Sequence, residues 1–357
     1  MRQNTPYIKL PLKKELYETI AILKSDSKAN KALGELKGIA KTIPNQAMLV
    51  NAIVLQEAKD SSEIENIVTT QDELYKAINT STQTNSAVKE VVNYRKAIFH
   101  GFNLIGKQGF LKFSDLIKIQ ELIIENNAGI RSTPGTVLKN HRTGAVVYTP
   151  PQEKDEILDL LNNFLENFNE EDQHIPPLIN LAILHHQFES IHPFYDGNGR
   201  TGRILNILYL SMNKLLDLPI LYLSSFIIKH KEDYYKLLNE VNKTGIWENW
   251  ILFMLKAVEE TSNKTIKKID QINKELDRVL GFAKENAQKV YKKELVELLF
   301  EQPYCKIEYV VNRLGVERKA ASRYLKTFEG IGILSSQKVG RETIYINSGL
   351  IDILKIH

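Results

Sequence analysis

The sequence predicts a mainly α-helical protein: a helical bundle with one short β-hairpin, followed by a C-terminal winged helix-turn-helix region. Apolar residues return every three or four positions through most of the first 260 residues, the period of helices that bury one face. The stretch GIRSTPGTVLKNHRTGAVVYTPPQ breaks that period with glycines, prolines and β-branched residues, and reads as a hairpin or extended loop. Near the C-terminus, ELVELLFEQ, KIEYVVNRL and ERKAASRYLKTFEGIGIL read as three helices. SSQKVGRETIYIN, an alternating segment with a glycine-centred turn, then supplies the wing.

Taken in order, the helices are expected at ELYETIAIL, NAIVLQEAKDSSEIENI, AVKEVVNYRKAIFHGFNLI, FSDLIKIQELII, KDEILDLLNNFLENF, PLINLAILHHQFESI and RILNILYLSMNKLL. Asp155 or a neighbour starts the fifth, and Pro176 and Pro177 stand where a first helical turn tolerates proline. The charged stretch from Thr261 to Lys289 reads as a helical linker.

At 357 residues the chain is long enough for two or three domains, each with its own core. Hydrophobic residues make up 43% and charged residues 25%, and no apolar run approaches the roughly 18 residues of a membrane span. The first residues, MRQNTPYIKLPLKKEL, lack a secretory h-region, and Cys305 is the single cysteine, so a reducing cytoplasm is the expected compartment, with no membrane partner. A net charge of +4 is too small to require nucleic acid as a partner of the whole chain.

The segment HPFYDGNGRTGR, His192 to Arg203, carries the chemistry. It falls between a helix ending near Ile191 and one beginning near Arg200. A tight loop feeding a helix N-terminus favours anions, because free backbone N–H groups and the helix dipole both stabilise phosphate. Gly197 and Gly199 let the backbone approach a ligand, and Arg200 and Arg203 offer planar forks to phosphate oxygens. Asp196 is a hard oxygen ligand suited to magnesium shared with phosphates, and Asn198 can donate to another phosphate oxygen. His192 can accept a proton near neutral pH, while Phe194 is expected to anchor the loop in the core. This is neither a P-loop nor a dinucleotide fingerprint.

The segment resembles the signature of the Fic family, His-Pro-Phe-x-Asp/Glu-Gly-Asn-Gly-Arg-x-x-Arg, at every specified position, and the approach HHQFESIHPF is similar as well. The resemblance implies a Fic-type helical core and transfer of AMP from ATP to a Ser, Thr or Tyr hydroxyl of a protein, with release of pyrophosphate. His192 would be the base, Asp196 the Mg2+ ligand, and Gly197, Asn198, Gly199, Arg200, Thr201, Gly202 and Arg203 the phosphate cradle. Doc-type relatives that transfer a phosphoryl group depart from this pattern at the second glycine and last arginine, both present here as Gly199 and Arg203. Phosphocholine-transferring relatives share much of the signature and stay open.

Upstream, Ser61 and Glu65 in SSEIENI are four residues apart and share a helical face. The segment from Ser61 through Asn66 resembles the family's inhibitory motif, Ser/Thr-x-x-x-Glu-Gly/Asn. A carboxylate on Arg203 would stand where the terminal phosphate of ATP belongs. In some relatives the same glutamate assists removal of AMP, so the direction of the reaction stays open. By the same resemblance, Val146, Val147 and Tyr148 correspond to a flap that docks the target by strand addition. Tyr234, Tyr235 and Asn242 correspond to residues near the adenine, although tyrosines on a helical stripe also suit a core.

The expected division is therefore 1–109, an N-terminal helical region with the inhibitory motif; 110–260, the catalytic core; 261–290, the linker; and 291–357, the winged helix. His185 and His186 lack zinc-site partners and are expected to pack the helix. The tail from Tyr291 carries eleven Lys or Arg and eight Asp or Glu, with Arg318, Lys319, Arg323 and Lys326 on its third helix and Lys338 and Arg341 on the wing. A rival reading is a DNA-binding regulator with the helical core as sensor; packing of the tail on that core, or protein recognition by it, ranks ahead given the small net charge. Self-modification and pairing of two copies stay open.

Overall fold

A computed structural model describes residues 7–43, 46–79, 85–139, 144–170, 174–339 and 342–355. Arg341 of the expected wing lies outside them. Described helices precede the hairpin as α1 (Ile20–Ala40), α2 (Gln46–Ile64), α3 (Gln71–Asn79), α4 (Ser86–Gln108) and α5 (Phe113–Ile124). The hairpin pairs β1 (Leu138–Lys139) with β2 (Val146–Tyr148), antiparallel. There follow α6 (Lys154–Asn169), α7 (Pro177–Ile191), α8 (Asn198–Met212), α9 (Ser224–Lys229), α10 (Lys231–Thr244) and α11 (Glu248–Asn286). The tail comprises α12 (Lys293–Glu301), β3 (Tyr304–Lys306), α13 (Ile307–Leu314), α14 (Arg318–Gly330), β4 (Ser335–Val339), β5 (Glu342–Ile346) and α15 (Ser348–Lys355). No described helix is long and apolar enough to cross a membrane.

The chain is mainly α, as its periodicity predicts, with differences that have local causes. The first expected helix is a short 3-10 turn, Lys14–Leu16, and α1 begins only at Ile20, where the Thr19 side chain accepts from the Ile22 N–H. The stretch expected as a linker is the second half of α11, which continues unbroken for 39 residues and buries Ile269, Ile272, Leu276 and Val279 along one stripe. The tail adds β3 and α15 to the expected three helices and hairpin, giving an antiparallel sheet of order β3-β5-β4.

Helix α7 is the centre of the bundle. Pro177 opens it, and every residue from Leu178 to Ile191 is buried, between α6, α8, α11 and α1. Helix α8 lies against α7, α4 and α5 and is buried on nearly all sides. Helix α2 packs against α4, α8, α9 and α12, so the polar Glu57, Asp60, Ser61 and Ser62 are buried with it. Buried polar groups destabilise a fold unless they find partners. Ser61 finds its partner in Arg203 of α8, Glu57 in Tyr94 of α4 and Ser224 of α9, and Asp60 in Gln56 one turn back on α2 itself.

The tail docks on this N-terminal layer. Tyr304 of β3 stacks on Tyr75 of α3 with centroids 4.6 Å apart, and its hydroxyl donates to Asp72 at 2.8 Å. At the other end of the tail, Lys268 of α11 donates to the Leu354 carbonyl.

Candidate active site

The loop between α7 and α8 is fixed from several directions. His192 ends α7 in the left-handed region, φ 49° and ψ 57°, a conformation that costs an ordinary L residue about 1 kcal/mol. Arg131, fully buried in the irregular segment before the hairpin, holds it there: Nε donates to the His192 carbonyl at 2.7 Å, and Nη2 donates to the Ile191 and Pro151 carbonyls. The Arg131 N–H also reaches the Pro193 carbonyl at 3.0 Å. Phe194 is buried beneath the loop. Asn198 clips both ends of Phe194, its Oδ1 accepting from the N–H and its Nδ2 donating to the carbonyl, each at 2.8 Å.

Gly197 has φ 80°, and a Cβ there would fall 2.9 Å from Ile124, so this corner admits only glycine. Gln120 donates to the Asp196 carbonyl at 3.0 Å from α5. The Asp196 carboxylate accepts from the Gly197 N–H at 2.6 Å and from Arg200 at 3.4 Å, with 68% of the side chain exposed. It is an open, hard oxygen donor at the mouth of the loop.

The cradle's two arginines are both engaged. Arg200 donates to Glu90 of α4 at 2.8 Å. Arg203, buried, donates through Nε to Ser61 Oγ at 2.7 Å, and through Nη2 to the Ser61 carbonyl at 2.9 Å and Glu65 Oε1 at 2.8 Å. Burial raises the Glu65 carboxyl pKa, but Arg203, with Arg200 and Lys231 behind it, outweighs burial and the net shift is downward. The carboxylate therefore stays ionised at neutral pH. Arg203 is held charged by the same contacts despite its own burial.

His192 is driven the other way. Burial first, then the charge of Arg131, pushes its pKa down to about 4, leaving a neutral ring at pH 7. One turn back in α7, Glu189 is buried with its carboxylate against Gly202, and burial pushes it up to about 7 against the pull of Arg203. Glu57, one turn before Ser61, accepts from Ser224 and Tyr94, and burial raises it to about 8.

The structure brings together His192, Asp196, the 197–203 turn, Ser61 and Glu65, and redistributes other expected residues. The Asn198 amide is engaged inside the loop instead of facing outward to a phosphate, because the Phe194 backbone needs both its donor and its acceptor. Thr201 is buried, inside the first turn of α8, which begins at Asn198 rather than near Arg200. Tyr234 is a core residue: its hydroxyl meets His185 Nε2 at 2.9 Å and its ring packs against Trp250, closing it off from any ligand. Tyr235 beside it is 42% exposed. Asn242 accepts from Ser190 at 3.0 Å and lines a cavity of about 90 Å³ with Tyr148, Ser190 and Trp247. In the hairpin, Val146 is exposed, Val147 half-buried, and the Tyr148 hydroxyl donates to the Ser190 carbonyl at 3.0 Å. His185 and His186 are packed among Tyr234, Trp247 and Trp250.

Sequence reasoning missed Arg131, Glu57, Glu90 and Glu189. A lone arginine in an irregular stretch carries no periodic signal. Glu57 alone was within reach, as it stands four before Ser61 and eight before Glu65 on one helical face.

A family model described as Fic/DOC family matches residues 110–210, and one described as Fic/DOC family N-terminal matches 23–103. A third, the C-terminal domain of SoFic-like protein adenylyltransferases, matches 276–350. A curated relative from Nematostella vectensis, protein adenylyltransferase Fic, is 27% identical over 162 residues, 44% of this chain and 35% of that protein. Its namesake from Aedes aegypti is 28% identical over 161 residues, 44% of this chain and 30% of that protein. The match thus spans about a third of each relative's length. A solved Fic family protein from Desulfovibrio desulfuricans G20 has the same fold, with a TM-score of 0.60 at 19% identity over 92% of this chain and 96% of that one. A Fic domain containing signaling protein from Bacteroides thetaiotaomicron gives 0.53 at 17% identity, over 70% and 95% respectively. With three matching models in succession along it, on a fold shared by solved Fic proteins, the chain belongs to the Fic family.

Proposed function

We propose that this protein is an adenylyltransferase that moves AMP from ATP to a Ser, Thr or Tyr hydroxyl of a protein, its own chain included, and that Glu65 holds it in a weakly active state. The observation that carries the reading is the engagement of Arg203 by Ser61 and Glu65 beside a neutral histidine. Arg203 is the buried cation near the N-terminus of α8, where free first-turn N–H groups and the helix dipole would stabilise a polyanion.

In the reaction, His192 takes the proton of the incoming hydroxyl. The hydroxyl oxygen forms a bond to the α-phosphorus, the bond from that phosphorus to the bridging oxygen breaks, and pyrophosphate leaves. Arg203 and the first-turn N–H groups of α8 hold the leaving phosphates and stabilise the charge that develops on them. The exposed Asp196 carboxylate beside the arginines fits a magnesium ion, which when bound supplies charge neutralisation on the phosphates. Arg200 joins the cradle by leaving Glu90, which is 37% exposed and easily rehydrated. The hairpin offers the target main-chain pairing, and the Asn242 cavity between α10, α7 and the hairpin suits the base of the nucleotide.

Glu65 opposes this by occupying Arg203. A triphosphate could still enter, but its terminal phosphate would sit off Arg203 and its α-phosphate off the line of attack; a shift of about 1 Å costs roughly 100-fold in rate. Intact mass spectrometry after incubation with magnesium and ATP tests the proposal, using Glu65→Gly with Glu65→Gly/His192→Ala beside it. An AMP-sized increase that requires His192 is expected. A phosphate-sized increase would instead indicate phosphoryl transfer, and equal modification of the native chain and Glu65→Gly would remove the brake.

A further inference from the structure

We propose that the outward face of α14, with the β4–β5 hairpin beside it, is a binding surface for double-stranded DNA. The small net charge of the tail hides a segregation that only the folded arrangement reveals. Lys293, Lys306 and Arg313 pair with Glu297, Glu342 and Glu301. Among the described residues, none of Arg318, Lys319, Arg323, Lys326 and Lys338 has an acidic partner within ion-pair distance. No acid occurs from Arg318 to Phe328.

The fold aims these cations one way. Ala321, Leu325 and Phe328 bury the inner face of α14, so Lys319, Arg323 and Lys326, at i, i+4 and i+7, share the outer one. They line an open groove with Ser322 and Thr327. Strand β4 is an edge strand, and Ser335 to Lys338 are exposed along it, giving a second polar contact line next to the helix. The tail docks on the rest of the molecule through Tyr304 and the end of α15, which leaves α14 outside that contact.

Two features select the partner. A protein-docking surface needs an apolar or aromatic centre, yet no large hydrophobic side chain is exposed among the described residues from 291 onward. An outward helix face whose cations lack acidic partners, flanked by a polar hairpin, instead fits the major groove of B-form DNA, about 12 Å wide, with the hairpin along the phosphates. The deep, narrow major groove of duplex RNA excludes such a helix.

Fluorescence anisotropy of the full chain with a mixed-sequence 20-base-pair DNA duplex, titrated with salt, tests this. Binding should weaken with a log–log slope of about −3 to −4, each neutralised phosphate contributing about −0.9. Lys319→Ala/Arg323→Ala/Lys326→Ala should lose about 100-fold in affinity at 0.1 M salt and flatten the slope by about three. Lys14→Ala/Lys256→Ala/Lys274→Ala, with an equal charge change elsewhere, should keep native binding. The surface assignment is overturned if no saturable binding is seen at 50 mM salt, or if both triple variants lose affinity equally. It is also overturned if polyglutamate or duplex RNA competes as well as DNA. None of these outcomes depends on the adenylyltransferase reading.

Discussion

Arg203 and Glu65, 138 residues apart in the chain, meet at 2.8 Å, and the guanidinium they share with Ser61 is almost wholly buried. Removing one partner of such a pair leaves a charge out of water without compensation, which destabilises by about 3–5 kcal/mol when both are deeply buried. Glu65 keeps 33% of its side chain exposed and Ser61 retains two bonds to Arg203, so about 1–2 kcal/mol is expected for Glu65→Gly. The variant should melt a few degrees lower than the native chain. A bound triphosphate restores the missing negative charge, so magnesium–ATP should raise its melting temperature more than that of the native chain. Equal ATP shifts in the two proteins would mean that Glu65 does not compete with the nucleotide.

Gly199 gives a second handle on the same contact. A Cβ at this position would lie 2.4 Å from Glu65 Oε1 and 3.0 Å from Arg203. Gly199→Ala should therefore force the Glu65 carboxylate away, and the penalty should shrink once that carboxylate is gone. A double-mutant cycle on thermal stability with Glu65→Gly should give a coupling of about 1–2 kcal/mol. Additive effects would show that the alanine is accommodated without disturbing Glu65.

The pH profile should carry the mark of His192. Its protonated form cannot accept the proton of the target hydroxyl, so activity is lost as pH falls through its pKa, which burial and Arg131 place at about 4. Glu65 contributes in the opposite direction, raising that pKa, and its removal shifts it further down. In Glu65→Gly, kcat/KM should stay nearly flat from pH 8 to 6 and fall only below about pH 5. An acidic limb near 6.5 would mean that the base is solvated in the working enzyme.

Much of this site was legible before folding, and the reason is local. From His192 to Arg203 the functional groups lie within twelve consecutive residues, the loop after α7 and the start of α8, so their nearness in sequence brings them near in space; Ser61 and Glu65 are one helical turn apart. Contacts between distant segments left no such trace. Arg131 supports His192 across 61 residues, and Glu90 meets Arg200 across 110. Tyr234 and Tyr235 are neighbours with the same chemistry, yet burial against Trp250 makes one a core residue and leaves the other open. Periodicity recovered most of the long helices but not the short α3, α9 and α15, nor the continuity of α11, whose charged outer face resembles a linker until its inner stripe is seen to be covered.

The docking of the tail bears on the proposed restraint by Glu65. Tyr304 stacks on Tyr75 at an interplanar angle of 11° and donates to Asp72, so β3 is fastened to α3 by an aromatic pair and a charge-assisted bond. Such a stack contributes about 0.5–1.5 kcal/mol beyond its buried area, and the bond about 1.5–3 kcal/mol. Helix α3 starts at Gln71, six residues after Glu65, and α2 is also covered by α12 of the tail. On the proposed reading, loosening this contact should free the C-terminal end of the segment that presents Glu65 to Arg203. Tyr304→Ala should lower the melting temperature and raise basal modification several-fold, while Tyr304→Phe, which keeps the stack and loses the bond, should fall between. Neither change should add activity in a Glu65→Gly background, because no brake is left there to loosen. If Tyr304→Ala melts earlier but modifies at the native rate, the tail stabilises the fold without steadying Glu65; if it raises activity in Glu65→Gly as well, it acts on the catalytic loop by another route.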